Sequence, residues 1–246
     1  MTAEQSFVIV AAGMLAEVRI VRCDPCVRAV AGGGDSCFLA AAIERAIDSN
    51  AMGILSFGIA GGLAPDSNPG DIIIASGVAA HGQVWKTDSD WSARLADALP
   101  HAQRGLMAGS DIPVATLAAK SALFAATGAI AIDMESHIAA RIAAAHGLPF
   151  ASLRVVADAA TRQLPPAALA GLSPGGAINI SGVLKSLARR PSQLPALLAV
   201  SADTRTAMLA LLGSFRTVNS ALGPGFGCTG LGCTGFSVRL GSADLG

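Results

Sequence analysis

Short apolar runs of β type alternate with helix-spaced segments along most of the 246-residue chain. Ser6 to Ala12 is apolar and ends at Gly13, so it reads as a strand feeding a turn and a helix, with Glu17 near the strand's carboxyl end. Val27 to Ala31 reads as a second strand, followed by Gly32-Gly33-Gly34 and an Ala-rich stretch, Cys37 to Ser49, with helical spacing. Gly53 to Phe57 is a third strand and runs into Gly58-Ile-Ala60-Gly61-Gly62-Leu-Ala-Pro65. After turn residues from Asp66 to Asp71, Ile72 to Ala75 reads as a strand continuing into a polar segment with His81, Trp85 and Trp91. Leu106 to Ala108 and the loop after it form another strand-loop unit, and Leu117 to Thr127 is helical. Such alternation favours an α/β sheet between helices over a segregated arrangement.

The stretch from Ala131 to Asp158 carries the strongest local signals. Asp133 reads as a helix N-cap, Ser136 to His146 as helix interior, Gly147 as the stop and Pro149 as the block to continuation. Phe150 to Ala157 is mostly apolar without strict alternation, which suits a strand covered on both faces. Asp158 then stands at its carboxyl end, where α/β sheets bind ligands. A loop-capping role for Asp158, or a pair with Arg154, is the alternative. The histidines offer less: His146 reads as a cap residue suited to the helix dipole and His137 as a packed helix residue.

From Ile180 to Leu212 the pattern changes to helices separated by Pro191 and Pro195, with leucine-rich faces and basic faces supplied by Lys185, Arg189, Arg190, Arg205 and Arg216. Most such helices pack on their own domain, and peripheral contact with an anionic membrane surface is the minority reading. The division expected is a catalytic domain over 1–222 and a poorly ordered tail over 223–246 that repeats Gly-Cys-Thr-Gly.

Composition narrows the function classes. The chain is 52% hydrophobic and only 14% charged, with mean hydropathy +0.55, yet no window reaches the uninterrupted apolar length of a membrane span. No basic region precedes an apolar run at the N-terminus, so the expected location is cytoplasmic. Seventeen basic residues balance seventeen acidic ones without a basic stripe, which argues against nucleic acid and for a small-molecule ligand. Cys23 and Cys26 form a single C-x-x-C with no second pair at zinc spacing, and an odd total of five cysteines argues against a disulfide framework. No metal and no cofactor are expected.

Gly13-Met-x-x-Glu17, Gly58-Ile-Ala-Gly-Gly-Leu-Ala-Pro65 with Pro69-Gly-Asp71, Asp133-Met-Glu135 and Arg154-Val-Val-Ala-Asp158 together resemble the nucleoside phosphorylase and nucleosidase family over residues 6 to about 165. The segment from Asn179 through Leu198 is similar to the hopanoid-associated phosphorylase-like branch, thought to remove adenine from adenosylhopane. The resemblance implies a three-layer αβα sandwich with a central twisted mixed sheet of the purine nucleoside phosphorylase type. It also implies a nucleoside substrate and a homodimer. It assigns Glu135 to the ribose hydroxyls, Met134 to sugar packing, Asp158 to the purine N7 and Glu17 to the attacking water. Gly33, Gly58, Ala60, Gly61, Pro113 and Val114 would line the substrate site, Val114 through backbone hydrogen bonds to the base.

These roles agree with the chemistry. N-glycosidic cleavage leaves a cationic sugar and an anionic base, so the reaction needs an acid at the base and negative charge near the sugar. Asp158 serves as the acid only with a raised pKa. Of four glutamates, two fall at the matched positions. Phosphate would require donors and positive charge, while Leu55-Ser56-Phe57 before Gly58 offers no arginine and Glu17 would repel an anion. Water is therefore the favoured nucleophile, unless Arg19, Arg22 or Arg28 folds in. Two departures stand out: the loop Asp111-Ile-Pro113-Val114 lacks the aromatic that stacks on adenine, and Ala157 replaces a hydroxyl residue expected to orient Asp158. The best specific expectation is conversion of adenosylhopane to ribosylhopane and adenine. A methylthioadenosine/S-adenosylhomocysteine nucleosidase, a true phosphorylase and a non-catalytic nucleoside binder are the alternatives.

Overall fold

The structure is a computed structural model describing residues 6–22 and 24–218; the expected tail over 223–246, with its two cysteines, lies outside the described residues. In chain order the elements are β1 (Phe7–Ala12), α1 (Leu15–Val21), β2 (Val27–Ala31), α2 (Ser36–Ala46), β3 (Ala51–Gly62), β4 (Ile72–Ala80), β5 (Gln83–Lys86), α3 (Ser89–Ala98), β6 (Gln103–Gly109), α4 (Leu117–Thr127), β7 (Ala131–Asp133), α5 (Ser136–Ala145), β8 (Phe150–Asp158), α6 (Pro166–Leu169), α7 (Ile180–Arg189) and α8 (Leu194–Val218). The α/β expectation holds, with a mixed sheet between two helical layers.

The sheet is held together through β3 and β8. Parallel pairing joins β1 to β2 and β3, and β3 to β8. β8 then runs antiparallel to β4, β4 parallel to β6, β6 parallel to β7, and β7 antiparallel to the end of β3. The pairings β3-β8-β4-β6-β7-β3 therefore close a ring within the sheet, and the twelve-residue β3 is long enough to serve three neighbours, β1, β8 and β7.

Alternation along the strands sends successive side chains to opposite layers. In β1, Ile9 and Ala11 join α2 and α5 in one core, while Val8 and Val10 join α1, α3 and α8 in the other. In β8, Ala151, Leu153, Val155 and Ala157 face the second core. Ser152 and Arg154, of opposite parity, are fully buried polar residues. Phe57 and Phe215 meet edge to face in the second core at 6.2 Å between centroids, which ties α8 to β3.

Several sequence boundaries shift. β3 runs through the glycines expected to follow it, and β4 continues to Ala80 and turns back as β5 through His81-Gly82. The segment read as variable and polar is thus a hairpin followed by α3, whose Trp91 is completely buried. Asp133 ends β7 rather than occupying the N-cap position, which is Glu135; its carboxylate still accepts from the amides of Glu135 and Ser136, so it caps α5 from two residues upstream. His146 is the C-cap of α5, in keeping with its reading as a cap residue, so the helix interior ends before it, and Gly147 follows at φ +64°. Pro195 falls in the first turn of α8, where a missing N–H costs nothing, so it separates no helices.

The core role of α8 is directly testable. Phe215→Ala should destabilise the protein by about 3–5 kcal/mol, read by denaturant unfolding. Leu209→Ala on the exposed side of the same helix should stay within about 0.5 kcal/mol. Equal effects would show that α8 does not pack as described.

Candidate active site

Three carboxylates converge on one buried arginine. Glu17, on the first turn of α1, is 1% exposed. Its Oε2 accepts from the amides of Gly13 at 2.8 Å and Met14 at 2.7 Å, and its Oε1 accepts from Ile59 N–H at 2.8 Å. Burial raises its pKa, against the lowering effect of Arg154 and of these amides. Arg154 of β8 is fully buried; its Nη1 donates to Glu135 Oε2 and to Ile59 O, both at 3.3 Å. Its Nη2 donates to Ser56 Oγ. Its Nε lies 2.7 Å from Asp133 Oδ2, an ionic approach that is too poorly aligned to count as a hydrogen bond.

Glu135 sits where β7 hands over to α5, buried beside Gly13 and Arg154. Burial pushes its pKa up to about 8, opposed by Arg154 and reinforced by Asp133 and Glu17. Close approach explains two glycines here. A Cβ on Gly58 would stand 2.6 Å from Glu17 Oε1 and 2.8 Å from Arg154 Nη1, and one on Gly13 would stand 2.9 Å from Glu135 Oε1. The Gly58 position thus admits Glu17 and Arg154 together.

Asp158 occupies a second station on the same strand pair. It registers with Gly61 of β3, three residues beyond Gly58, so about 10 Å of strand separates it from the Glu17 contact. A buried lysine, Lys120 of α4, ion-pairs with its Oδ2 and donates to Ala159 O at 2.8 Å. Burial raises the Asp158 pKa and the Lys120 charge opposes the rise. The alternative pairing of Asp158 with Arg154 is not formed; Arg154 is bound to Asp133 and Glu135. Ala157 packs into the second core, so Lys120 rather than a neighbouring hydroxyl orients Asp158.

The remaining expected residues divide. Ala60 is buried on β3 between the two stations. Gly33, at φ +66°, lies so close to Ser173 O and Gly176 N that a Cβ would approach both to 2.2 Å, which brings the 173–176 turn onto the glycine loop. Met134 reaches toward Gly34 on that loop. Pro113 and Val114 are half-buried between β6 and α4, Val114 packing beside Leu63, Ala108, Ala129 and Ile132. Arg28, raised as a phosphate ligand, is turned instead to Asp48 at 2.6 Å and to the Phe7 ring. Sequence reasoning assigned no role to Lys120 and only an alternative pairing to Arg154. The signal for Arg154 was a charged residue inside an otherwise apolar strand; for Lys120, a lone lysine within an Ala-rich helix.

The raised Glu135 pKa fixes a stability trend. Between its ordinary value of 4.5 and about 8, the folded protein retains a proton that the unfolded chain has released. Stability is then greatest below 4.5 and declines as pH rises toward 8. Burial gives Glu17 and Asp158 the same sign. Thermal melts across this window should fall with pH, and Glu135→Gln should flatten the slope; a melting temperature that rises with pH would contradict the assignment.

The fold has counterparts among solved structures. The futalosine hydrolase of Helicobacter pylori strain 26695 superposes with a TM-score of 0.63 at 15% identity, covering 87% of this chain and 97% of that one. An S-adenosylhomocysteine nucleosidase from Streptococcus pyogenes, solved with 5-methylthiotubericidin, gives 0.56 at 18% identity over 87% and 98%. A 5′-methylthioadenosine/S-adenosylhomocysteine nucleosidase from S. pneumoniae, bound to the transition-state inhibitor MT-ImmA, gives 0.59 at 17% over 86% and 99%. At these identities the likeness establishes the fold. No curated protein matches the sequence. The family profile of the Phosphorylase superfamily matches residues 29–173, more than half of the chain. With its mixed sheet and buried carboxylate cluster in place, this chain belongs to the Phosphorylase superfamily.

Proposed function

We propose that the protein is an N-glycosidase that cleaves the adenine-ribose bond of a 5′-substituted adenosine by water attack. The observation that carries this reading is the placement of Glu17 and Asp158 against Gly58 and Gly61 of one strand, with Glu135 beside the first of them. In the reaction, water attacks C1′ and gives a proton to Glu17. The C1′–N9 bond breaks, its electron pair leaves with adenine, and the base takes a proton at N7 from Asp158. Buried Lys120 holds Asp158 in place through its ion pair. Glu135 faces the ribose hydroxyls, and the negative charge it gains on giving up its proton favours the cationic sugar of the transition state. Met134 packs against the sugar; Gly33, Gly58, Ala60, Gly61, Pro113 and Val114 line the remainder.

Water is favoured over phosphate by charge. Arg154 lies within the carboxylate cluster, and its donors are engaged by Glu135, Ser56 and Ile59 O. A phosphate dianion would have to compete with carboxylates for that one cation.

The 5′ substituent is read as apolar, with adenosylhopane the specific candidate and ribosylhopane plus adenine the products. Support comes from the path out of the site. The 173–176 turn lies on Gly13 and Gly33 and leads into α7. None of the α7 residues is buried; Ile180 and Leu184 are 66% and 60% exposed, next to Ile178 at 67%, with Lys185 and Arg189 on the same helix. An apolar surface edged by basic residues beside the substrate loops suits an enzyme that meets a lipid-linked nucleoside at an anionic bilayer. One helix among the described residues, 191–218, is apolar and long enough to cross a membrane. It contains Asp203, Arg205 and Arg216 and buries Leu211 and Phe215 in the core, so peripheral contact is the reading adopted. A cytoplasmic homodimer completes it.

Adenine release from 5′-substituted adenosines, with and without phosphate, tests the chemistry. Turnover should be independent of phosphate, and Glu17→Gln and Asp158→Asn should each reduce it by at least about a hundredfold. Activity within a few-fold of wild type, or formation of ribose-1-phosphate, would overturn the mechanism.

Flotation with phosphatidylglycerol-containing vesicles tests the surface. The full chain should float with them, and Leu184→Asp should abolish flotation while leaving turnover of soluble 5′-methylthioadenosine unchanged. Equal flotation of wild type and variant would remove the membrane reading.

A further inference from the structure

We infer that His81, Asp111 and His137 form a binding site for a divalent transition-metal ion at the loops flanking the carboxylate cluster. The three residues come from separate parts of the fold. His81 is at the β4-β5 turn, Asp111 is in the loop after β6, and His137 is on the first turn of α5. Their ligand atoms all lie within 4.8 Å of one another.

The geometry is that of two imidazoles around one carboxylate. His137 Nε2 is 3.2 Å from Asp111 Oδ1, and His81 Nε2 is 3.3 Å from Asp111 Oδ2. Ligand atoms bound tetrahedrally at zinc-like bond lengths stand about 3.4 Å apart. The two rings meet edge to face at 5.6 Å between centroids, so both nitrogens address the same carboxylate from different sides. Two imidazoles with one carboxylate suit zinc, nickel, cobalt or copper better than magnesium or calcium.

Local structure places each ligand. The turn His81-Gly82 has positive φ at both residues, 51° and 73°, as a two-residue hairpin turn requires. Asparagine is the favoured residue at the first of these positions, and His81 is the one non-glycine residue with positive φ among those described. The strained conformation therefore carries an imidazole that faces Asp111. His137 is 4% exposed at its side chain, and Gly109 makes room for it: a Cβ there would come 2.4 Å from His137 Cβ. The buried Nδ1 of His137 has no partner among the described residues, so Nε2 is the ring's working atom. Ser36 Oγ donates to Asp111 Oδ1 at 2.7 Å, a supporting bond of the kind that orients metal-ligating carboxylates.

A metal here would clasp the β4-β5 hairpin to the 109–114 loop and to α5, two residues beyond Glu135. With His81 and Asp111 exposed at their side chains, water or another ligand completes the coordination. The expectation of no metal rested on cysteine spacing, a criterion that does not register ligands brought together from three loops and helices.

The test is titration of tag-free, metal-stripped full-length protein with Co2+, followed by its visible absorption. One equivalent should bind with a nitrogen-oxygen spectrum lacking a thiolate charge-transfer band, and Zn2+ should displace it. His81→Ala and Asp111→Asn should each weaken Co2+ binding at least about tenfold, whereas His146→Ala, at the Glu44 pair on the far end of α5, should not. Because His81 is exposed on a hairpin turn, its removal leaves the fold standing. No binding, unaltered affinity in both variants, or a thiolate spectrum would each overturn the site. These readouts do not involve turnover and are independent of the reaction proposed above.

Discussion

The burial of Arg154 is the constraint on which the site depends. A guanidinium taken out of water needs paired charge and aligned acceptors, and a lone buried cation would cost several kcal/mol. β8 places Arg154 among polar side chains, where Asp133, Glu135, Ser56 and the Ile59 carbonyl meet it. Each partner comes from a different stretch of β3, β7 or the start of α5. The ion cluster therefore fixes how these elements sit together, and the closed path of strand pairing supplies the frame that holds them.

That constraint also explains the glycines. Glu17 approaches from α1 and Arg154 from β8, and both pass the Gly58 position at distances that leave no room for a Cβ. Gly13 plays the same part for Glu135. The conformational freedom of glycine matters less at these two places than its lack of a side chain. Sheet backbone is thus brought within hydrogen-bond range of a buried carboxylate, as the Ile59 N–H to Glu17 bond demonstrates.

Much of the architecture was legible because it is locally encoded. The Leu117–Thr127 helix agrees with its sequence boundaries, and Gly147 ends α5 in the expected left-handed conformation. Asp133-Met-Glu135 and Arg154 through Asp158 were visible as polar residues at the ends of apolar runs. What escaped was non-local or atypical in its turn chemistry. Lys120 is 38 positions from Asp158 in sequence, and no local pattern announces their ion pair. β5 was missed because its turn is His81-Gly82 rather than Asn-Gly, and β7 because three residues are too few to display a period. Asp133 was assigned the right capping chemistry two positions out of place, since a carboxylate two residues upstream of the N-cap still reaches the amides of Glu135 and Ser136.

The charge count around Arg154 bears on which nucleophile the site accepts. Glu17, Asp133 and Glu135 surround a single guanidinium, so full ionisation would leave a net charge of about minus two in a buried volume, a costly state at low dielectric. The high Glu135 pKa, about 8, is the response: a proton remains until something cationic replaces it. The oxocarbenium-like sugar of N-glycoside cleavage has that charge, and it develops only on the way to the transition state. Our reading of the site is that its electrostatic strain is relieved most there, which is the condition for lowering a barrier rather than merely binding substrate. An incoming phosphate would add negative charge to the same volume and deepen the strain. Neutral water adds none, and in the proposed reaction its proton passes to Glu17, a carboxylate that three amides hold in place.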